Sequence, residues 1–426
     1  MVITGNVKNE MRIRTKIINK IGTRDGKRLF ENFLSLSSLQ IASYVFPIIT
    51  LPYLARVLGV EYYGKIAFAS AIIVYFQTFV DYGFIYSSVR DISLCRDDRE
   101  KVSIIFSTTI YARLFLSLIS FLILVILIFV VPYFYGMSKI LIFTYLIVPG
   151  HAIFAEWLFQ GIEKMKYITI FNLLMKAAFT ISIFIFVKQQ SDYYLQPLLT
   201  ALGYISVGLL SLIVIYKNNI KFVRVPFGEV FNCIRKNTDL FINQLFPNLY
   251  NSLSTLFLGL MHGNVANGIF DAGYKFSGTC QQFFYIISRT FFPYLARKTD
   301  SHTLYAKVNL IMAAMASFLL LLFAPLIIRI FFTVDFYDGI YVLQILSFSI
   351  FFLVVSNVYG TNYLIIKGYE RELREATMYA SIISFFVALP LVYFLSYIGV
   401  AIVITFARGL IALFTYIQYR KIRKNK

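Results

Sequence analysis

Residues 46–84 read FPIITLPYLARVLGVEYYGKIAFASAIIVYFQTFVDYGF. Two apolar runs flank a turn, Gly59-x4-Gly64, with Arg56, Glu61 and Lys65 beside it, and each run extends past the quoted ends. A bilayer-crossing helix needs about 20 apolar residues, so the stretch reads as the end of one span, a turn and a second span. The rest of the chain has the same character: 426 residues, 59% hydrophobic, 14% charged, mean hydropathy +0.72. A water-soluble fold needs more polar surface than this. The length leaves room for about a dozen spans and no separate soluble domain.

Apolar runs broken by charge or turn clusters place twelve spans at 33–55, 66–89, 104–131, 140–160, 168–187, 195–216, 239–261, 267–292, 308–331, 340–366, 377–395 and 398–418. Span 8 is amphipathic, carrying Asp271, Lys275 and two glutamines, as a cavity-lining helix would. The basic segment 1–29 is expected to be a cytoplasmic tail, because the apolar run after it is too long for a signal-peptide core and lacks a cleavage site. The expected organisation is a six-helix bundle over 30–216, a cytoplasmic linker over 217–238, a second bundle over 239–418 and a basic tail over 419–426.

The formal net charge is +19, from 40 Lys and Arg against 21 Asp and Glu. That excess would ordinarily suggest nucleic acid, but it has another origin. Thirty of the 40 lie in the two tails and the even-numbered connections, and four (Arg56, Lys65, Lys139, Lys188) lie in the opposite loops. Six fall within spans: Arg113, Lys176, Lys275, Arg289, Arg329 and Arg408. Since cytoplasmic loops collect Lys and Arg, both termini are expected in the cytoplasm. No nucleic-acid partner is implied, and the bilayer itself is the first partner. The far-side loops, such as VPYFYGMSK, KQQSDYY and HGNVA, are too short to build an acceptor site, which disfavours a sugar polymerase or glycosyltransferase. Cys95, Cys233 and Cys280 are far apart and read as free thiols, and His151, His262 and His302 share no metal-binding spacing and read as solitary polar residues.

The chain carries an internal repeat. Gly59, Gly64, Gln77 and Phe79 recur as Gly263, Gly268, Gln281 and Phe283, each 204 residues later, and Gly161-x-Glu163-Lys164 recurs as Gly368-x-Glu370-Arg371, 207 later. A shift of six spans preserves orientation, so the halves are expected to be parallel repeats with a cleft between them. Pro47 and Pro52 in span 1 and Pro247 in span 7 favour kinks there.

At this point the residues resemble a known family. Phe46–Phe84, the VRDIS that follows, and EWLFQGIEKMKYITIFNLLMK (Glu156–Lys176) are similar to segments of the polysaccharide-transport branch of the multidrug/oligosaccharidyl-lipid/polysaccharide (MOP) exporter superfamily, and within it to the O-antigen flippases (Wzx). The resemblance implies an all-α fold like that of the MATE transporters, in two pseudo-symmetric six-helix bundles. It implies transfer of an undecaprenyl-diphosphate-linked oligosaccharide, an O-antigen repeat unit of lipopolysaccharide, across the bacterial inner membrane by rocker-switch alternating access. It further implies coupling to a proton or sodium gradient, no other cofactor, and polysaccharide polymerase and chain-length regulator proteins as partners. Capsule, exopolysaccharide or teichuronic-type lipid-linked units are alternative substrates. A drug/cation antiporter of the MATE type would be expected to carry an acid in its first helix, and 33–55 has none.

Charges at bilayer depth are costly, roughly 2.5 to 3.5 kcal/mol on insertion scales, and usually face a bundle interior or a water-filled path. Lys176, Arg408, Arg113, Lys275 and, at the far-side end of span 1, Arg56 are therefore the candidates for holding the diphosphate, with Arg suited to bidentate contact and Lys to a point charge. The competing role for each is neutralisation by a structural partner; Asp271 and Lys275, spaced i,i+4, form such a pair on one helix. Arg289 and Arg329 sit near helix ends as interfacial anchors. Asp81, Glu156 and Asp271 are the ion-coupling candidates, with compensation of a buried cation as the alternative. Asp239 starts a helix, where an anion favours the macrodipole. Tyr75, Tyr82, Tyr250 and Tyr274 are placed to stack on sugars. No catalytic residue and no metal ligand is expected.

Overall fold

The computed structural model describes residues 24–297 and 301–424, with side chains described for all of these except 24–45, 47, 243, 246–251, 293, 294, 296 and 297. The N-terminal tail therefore lies largely outside the described residues, as do the side chains of Pro47, Pro247 and Tyr250. Among the described residues there is no strand. Eight continuous segments are long and apolar enough to cross a membrane. The chain is a multi-pass membrane protein.

Three long helices hide turns that divide them. Arg24–Asp81 leaves helical geometry at Gly59, Thr238–Arg297 at Gly263 and Glu370–Lys424 at Ser396. Dividing them there gives α1 (24–58) and α2 (60–81), α11 (238–262) and α12 (264–297), and α15 (370–395) and α16 (397–424). Phe46 on α1 and Val74 on α2 line one cavity, whereas a straight helix would hold them about 40 Å apart, so the chain folds back at Gly59. Between these run α3 (Phe84–Leu94), α4 (Arg99–Val130), α5 (Ser138–Tyr145), α6 (Ile147–Ile153), α7 (Glu156–Gly161), α8 (Lys166–Phe186), α9 (Leu195–Lys217) and α10 (Phe227–Lys236). After α12 come α13 (His302–Phe331) and α14 (Gly339–Ser356), the latter continuing as a π-helix over Asn357–Ile365. Divided this way, helical segments among the described residues overlap each of the twelve spans expected from sequence. Pro52 stands inside α1 without interrupting it.

The repeat is visible in the backbone. Gly59 has φ 70°, ψ 172° and Gly263 has φ 80°, ψ −172°, a conformation open essentially only to glycine. The two glycines of the 204-residue offset thus make the same turn. The second match needs correcting by two residues. Glu163 and Gly368 are the left-handed residues of two equivalent helix ends, and each is followed by the 6→1 bond of a Schellman cap: Lys164 N–H to Phe159 O and Tyr369 N–H to Leu364 O, both 2.8 Å. Their offset is 205, within one residue of the first pair, so glycine in one half is matched by glutamate in the other.

The halves touch at the end that carries Gly59 and Gly263, called here the far end. A Cβ on Gly64 would lie 1.7 Å from Asn264 O, and one on Gly268 would lie 2.3 Å from Val60 O. Equivalent glycines therefore let α2 and α12 cross backbone to backbone. Tyr63 packs edge-on against Phe332 and Phe336 beside this crossing, and Tyr133 donates to Asn264 Oδ1 at 3.1 Å. Gly64→Ala or Gly268→Ala is expected to lower stability by about 3 kcal/mol or more, since a backbone oxygen cannot step aside. Gly278→Ala, on the same α12 but with nothing within 4 Å of the new methyl, should be neutral or stabilising by up to about 1 kcal/mol. Melting temperatures of the detergent-solubilised variants check this ordering.

Candidate functional site

A cavity of about 640 Å³ opens between the halves beneath the α2–α12 crossing, walled by α1, α2, α8, α9, α11 and α12. Its wall is mixed. Phe46, Leu51, Leu54 and Phe179 are apolar, while Thr50, Ser70, Gln196, Thr200, Ser252 and Thr255 offer hydroxyls and an amide. Tyr63, Tyr204 and Tyr274 add aromatic faces, and Lys176, Asp271 and Lys275 add charge.

The repeat explains which positions face inward. Adding 204 to Ile66, Ala67, Ser70 and Ala71 of α2 gives Phe270, Asp271, Tyr274 and Lys275 of α12, and all eight line the cavity. The same backbone register is presented from both sides. Small side chains fill it in one half, and an aromatic and ionic set fills it in the other. Lys275 Nζ lies 3.3 Å from Asp271 Oδ2, with the lysine side chain 45% exposed. It also sits 5.9 Å from the centre of the Tyr63 ring. The local i,i+4 pair expected from sequence is present, and its lysine still reaches the cavity.

The remaining intramembrane cations are elsewhere. Arg113 on α4 is 3% exposed and is not part of the cavity wall. Its Nη2 lies 2.5 Å from Asp81 Oδ1 at the end of α2 and 3.1 Å from His151 Nδ1 on α6. His151 is 3.4 Å from the same carboxylate oxygen, and Glu156 joins these groups around a second, small pocket of about 30 Å³. Tyr204 stands between the two spaces, lining the larger and touching His151 edge-on at 5.7 Å. Asp81 thus compensates a buried cation, and His151, read from sequence as solitary, belongs to this cluster. Its neighbours come from other spans, which spacing along one helix cannot reveal.

Arg408 on α16 is 6% exposed, outside the cavity wall, and donates to Ser349 Oγ at 3.0 Å. Arg56, Arg289 and Arg329 are exposed, and Arg329 lies 5.8 Å over Tyr337. Tyr274 lines the cavity as expected. Tyr82 instead stacks on Phe241 at 4.5 Å with the rings 5° from parallel. His262 and His302 each meet a backbone carbonyl, Val392 O at 2.8 Å and Val358 O at 2.9 Å. Of the predicted substrate-binding residues, the structure brings Lys176 and Lys275 to one cavity.

Comparison with known proteins places this arrangement. A family profile described as polysaccharide biosynthesis protein matches residues 29–299, more than half of the chain. The chain belongs to that family. Among curated relatives, a protein of Escherichia coli (strain K12) named "Putative O-antigen transporter" is 28% identical over 409 residues, covering 93% of this chain and 97% of that one. A protein of the same name from Shigella dysenteriae is 28% identical over 393 residues, covering 90% and 98%. Among solved structures, the lipid II flippase MurJ in an inward closed conformation aligns with a TM-score of 0.69 at 14% identity, over 92% of this chain and 87% of that one. An inward-facing multidrug resistance MATE family transporter of the MOP superfamily aligns with a TM-score of 0.65 at 14% identity, over 92% and 98%. These two establish the MATE/MOP fold.

The two kinds of intramembrane charge are differently placed: Arg113 meets Asp81 outside the cavity wall, while Lys176 and Lys275 line the cavity. Arg113 and Asp81 form an ion pair whose arginine is buried. Removing one partner of a buried pair leaves an uncompensated charge, which costs about 3–5 kcal/mol. Arg113→Met is therefore expected to destabilise by about 3 kcal/mol, and adding Asp81→Asn should restore most of that loss. Denaturation of the single and double variants in one detergent measures the recovery; a double variant no more stable than the single would remove the pairing role.

Proposed function

We propose that the protein is a flippase for undecaprenyl-diphosphate-linked oligosaccharide, carrying an O-antigen repeat unit from the cytoplasmic to the periplasmic leaflet of the bacterial inner membrane. The observation that carries this reading is the cavity between the repeats, where Lys176, Lys275 and the Asp271 beside it enter a wall that mixes apolar side chains with hydroxyls, an amide and tyrosine rings. Ammonium groups suit a diphosphate as point charges. Hydroxyl and aromatic groups suit sugar, whose rings present both hydrogen-bonding edges and apolar faces. The names of the two bacterial relatives support the same substrate class.

The state of the molecule fits alternating access. The halves are sealed at the far end by the α2–α12 crossing and by Tyr63 against Phe332 and Phe336, and the compared MurJ and MATE structures are described as inward closed and inward-facing. Rocking the halves apart at the far end would expose the cavity to the other leaflet. On this reading the basic tails are cytoplasmic and a proton or sodium ion is coupled through carboxylates. Asp271 lies in the cavity wall, and Asp81 and Glu156 border the small pocket. A polymerase and a chain-length regulator would receive the product on the far side.

Deleting the gene in its host should leave undecaprenyl-linked repeat units on the cytoplasmic side and strip the cell surface of polymer. Unchanged surface polysaccharide with no accumulated intermediate would sink the flippase reading. Lys176→Ala and Lys275→Ala should each lower export about tenfold at normal membrane abundance, as expected for loss of a charge-assisted contact. Full export by the double variant would remove these lysines from the binding site.

A further inference from the structure

The connection between the halves carries features that neither transport nor packing uses. The α9 helix ends at Lys217, Asn219 turns left-handed at φ 60°, and residues 220–226 run as a non-helical strap along α4. Two backbone N–H groups of the strap donate to serines of that helix, Lys221 to Ser103 Oγ at 3.1 Å and Val223 to Ser107 Oγ at 2.9 Å. Those hydroxyls donate in turn to Arg99 O and Ser103 O. The strap is thus fastened to α4 by its backbone, leaving its side chains to alternate inward and outward. It leads into α10, whose Val230 and Ile234 are buried against the core.

The outward face is not one that water would select. Phe222 is 51% exposed, Phe227 62% and Phe231 56%. Phe222 and Phe227 lean on aromatic rings of α4, with centroids 4.9 Å from Phe106 and 5.2 Å from Phe115. On the same α4, Leu114 and Leu118 are exposed, as the lipid-facing residues of a spanning helix are. The three phenylalanines extend that lipid-facing surface onto the connection. Around them Lys217, Lys221, Arg224, Arg235 and Lys236 are exposed, against one acid, Glu229. Phenylalanines beside a dense basic set, on a short helix whose other face is anchored, form the pattern of a segment seated at a membrane interface.

We propose that residues 217–236 form a binding surface for anionic phospholipid of the leaflet that faces this connection. Acyl chains lie against Phe222, Phe227 and Phe231, and headgroup phosphates lie against Arg224, Arg235 and Lys236. Charge complementarity selects the occupant: a neutral lipid would satisfy the rings and leave five cations without partners. The segment is the single covalent link between the halves. It enters α11 at Thr238, whose Oγ1 is 3.5 Å from Tyr82 Oη, next to the Tyr82–Phe241 stack. A lipid seated here therefore holds the start of α11 against the end of α2.

The test uses the full-length protein with dioleoylphosphatidylglycerol and dioleoylphosphatidylcholine as probes. Each basic side chain near an anionic surface contributes roughly fivefold in affinity. In native mass spectrometry the wild type should retain phosphatidylglycerol over phosphatidylcholine. The triple variant Arg224→Gln, Arg235→Gln, Lys236→Gln should lose that preference by about tenfold or more, and a control with Arg420→Gln, Lys421→Gln and Lys424→Gln should keep it. Added salt should erode the wild-type preference. Hydrogen exchange of the unaltered protein in nanodiscs supplies a reading free of mutation, with 220–236 more protected in phosphatidylglycerol than in phosphatidylcholine. No wild-type preference, equal loss in variant and control, or equal protection in both lipids would overturn the proposal. So would a co-purifying protein that Phe227→Ser/Phe231→Ser releases while lipid retention is unchanged.

Discussion

The crossing of α2 and α12 at Gly64 and Gly268 is the contact on which the rest of the molecule depends. Helices that meet through side chains sit 8–10 Å apart, and small residues are what allow backbones to approach more closely within a membrane. Here the approach is close enough that a single methyl on Gly64 would overlap a backbone oxygen. Because the two helices meet at one end, they must diverge toward the other, and the cavity is the space left between them. Each of these helices begins at a glycine turn with φ near 70–80°. Turn and crossing are thus set by the same Gly-x4-Gly motif in each half.

A second constraint sorts the charges. An ionised side chain in the hydrocarbon layer needs a partner, a polar pocket or a route to water. Arg113 finds Asp81 and His151, Arg408 finds Ser349, and Lys275 finds both Asp271 and the cavity. Lys176 faces the cavity from the opposite bundle. Two arginines are immersed in packed protein while two lysines border open space. That division suits the chemistry: a planar guanidinium can satisfy several fixed acceptors at once, and a lysine on a flexible stem can follow a mobile ligand.

Much of this was legible in the sequence, for identifiable reasons. Twelve spans follow from apolar run length, and the repeat from glycines that a turn requires, since both properties are local. The amphipathic span 8 announced the cavity wall because Asp271 and Lys275 interrupt an apolar helix. What escaped was non-local. No pattern within one span says that Arg113 and Arg408 point at neighbouring helices, or that His151 lies beside Asp81, 70 residues away. The Glu163–Gly368 equivalence was hidden because a Schellman cap constrains backbone conformation more strictly than residue type, so the glycine of one half appears as glutamate in the other.

The repeat also shows where the halves were free to diverge. The π-helix Asn357–Ile365 corresponds, at the 205-residue offset of the two caps, to residues 152–160, where Phe154 and Ala155 interrupt helix between α6 and α7. Both halves thus abandon α-helical geometry at the same level, one by widening a turn and the other by breaking. Asp81, 22 residues beyond Gly59, corresponds to Tyr285, 22 beyond Gly263. The ionic pair of the first half therefore has no acid at the equivalent position of the second. In the cavity the imbalance runs the other way, with Ala67 and Ala71 opposite Asp271 and Lys275. A symmetric backbone with asymmetric charge has a mechanical consequence. On the proposed reading, an anionic headgroup held by Lys275 would travel with the second half, while the small side chains of α2 give it little to hold. Lys176 on α8 would then be the charge that the first half brings to the ligand, and closing or parting the halves would change how that ligand is shared between the two lysines.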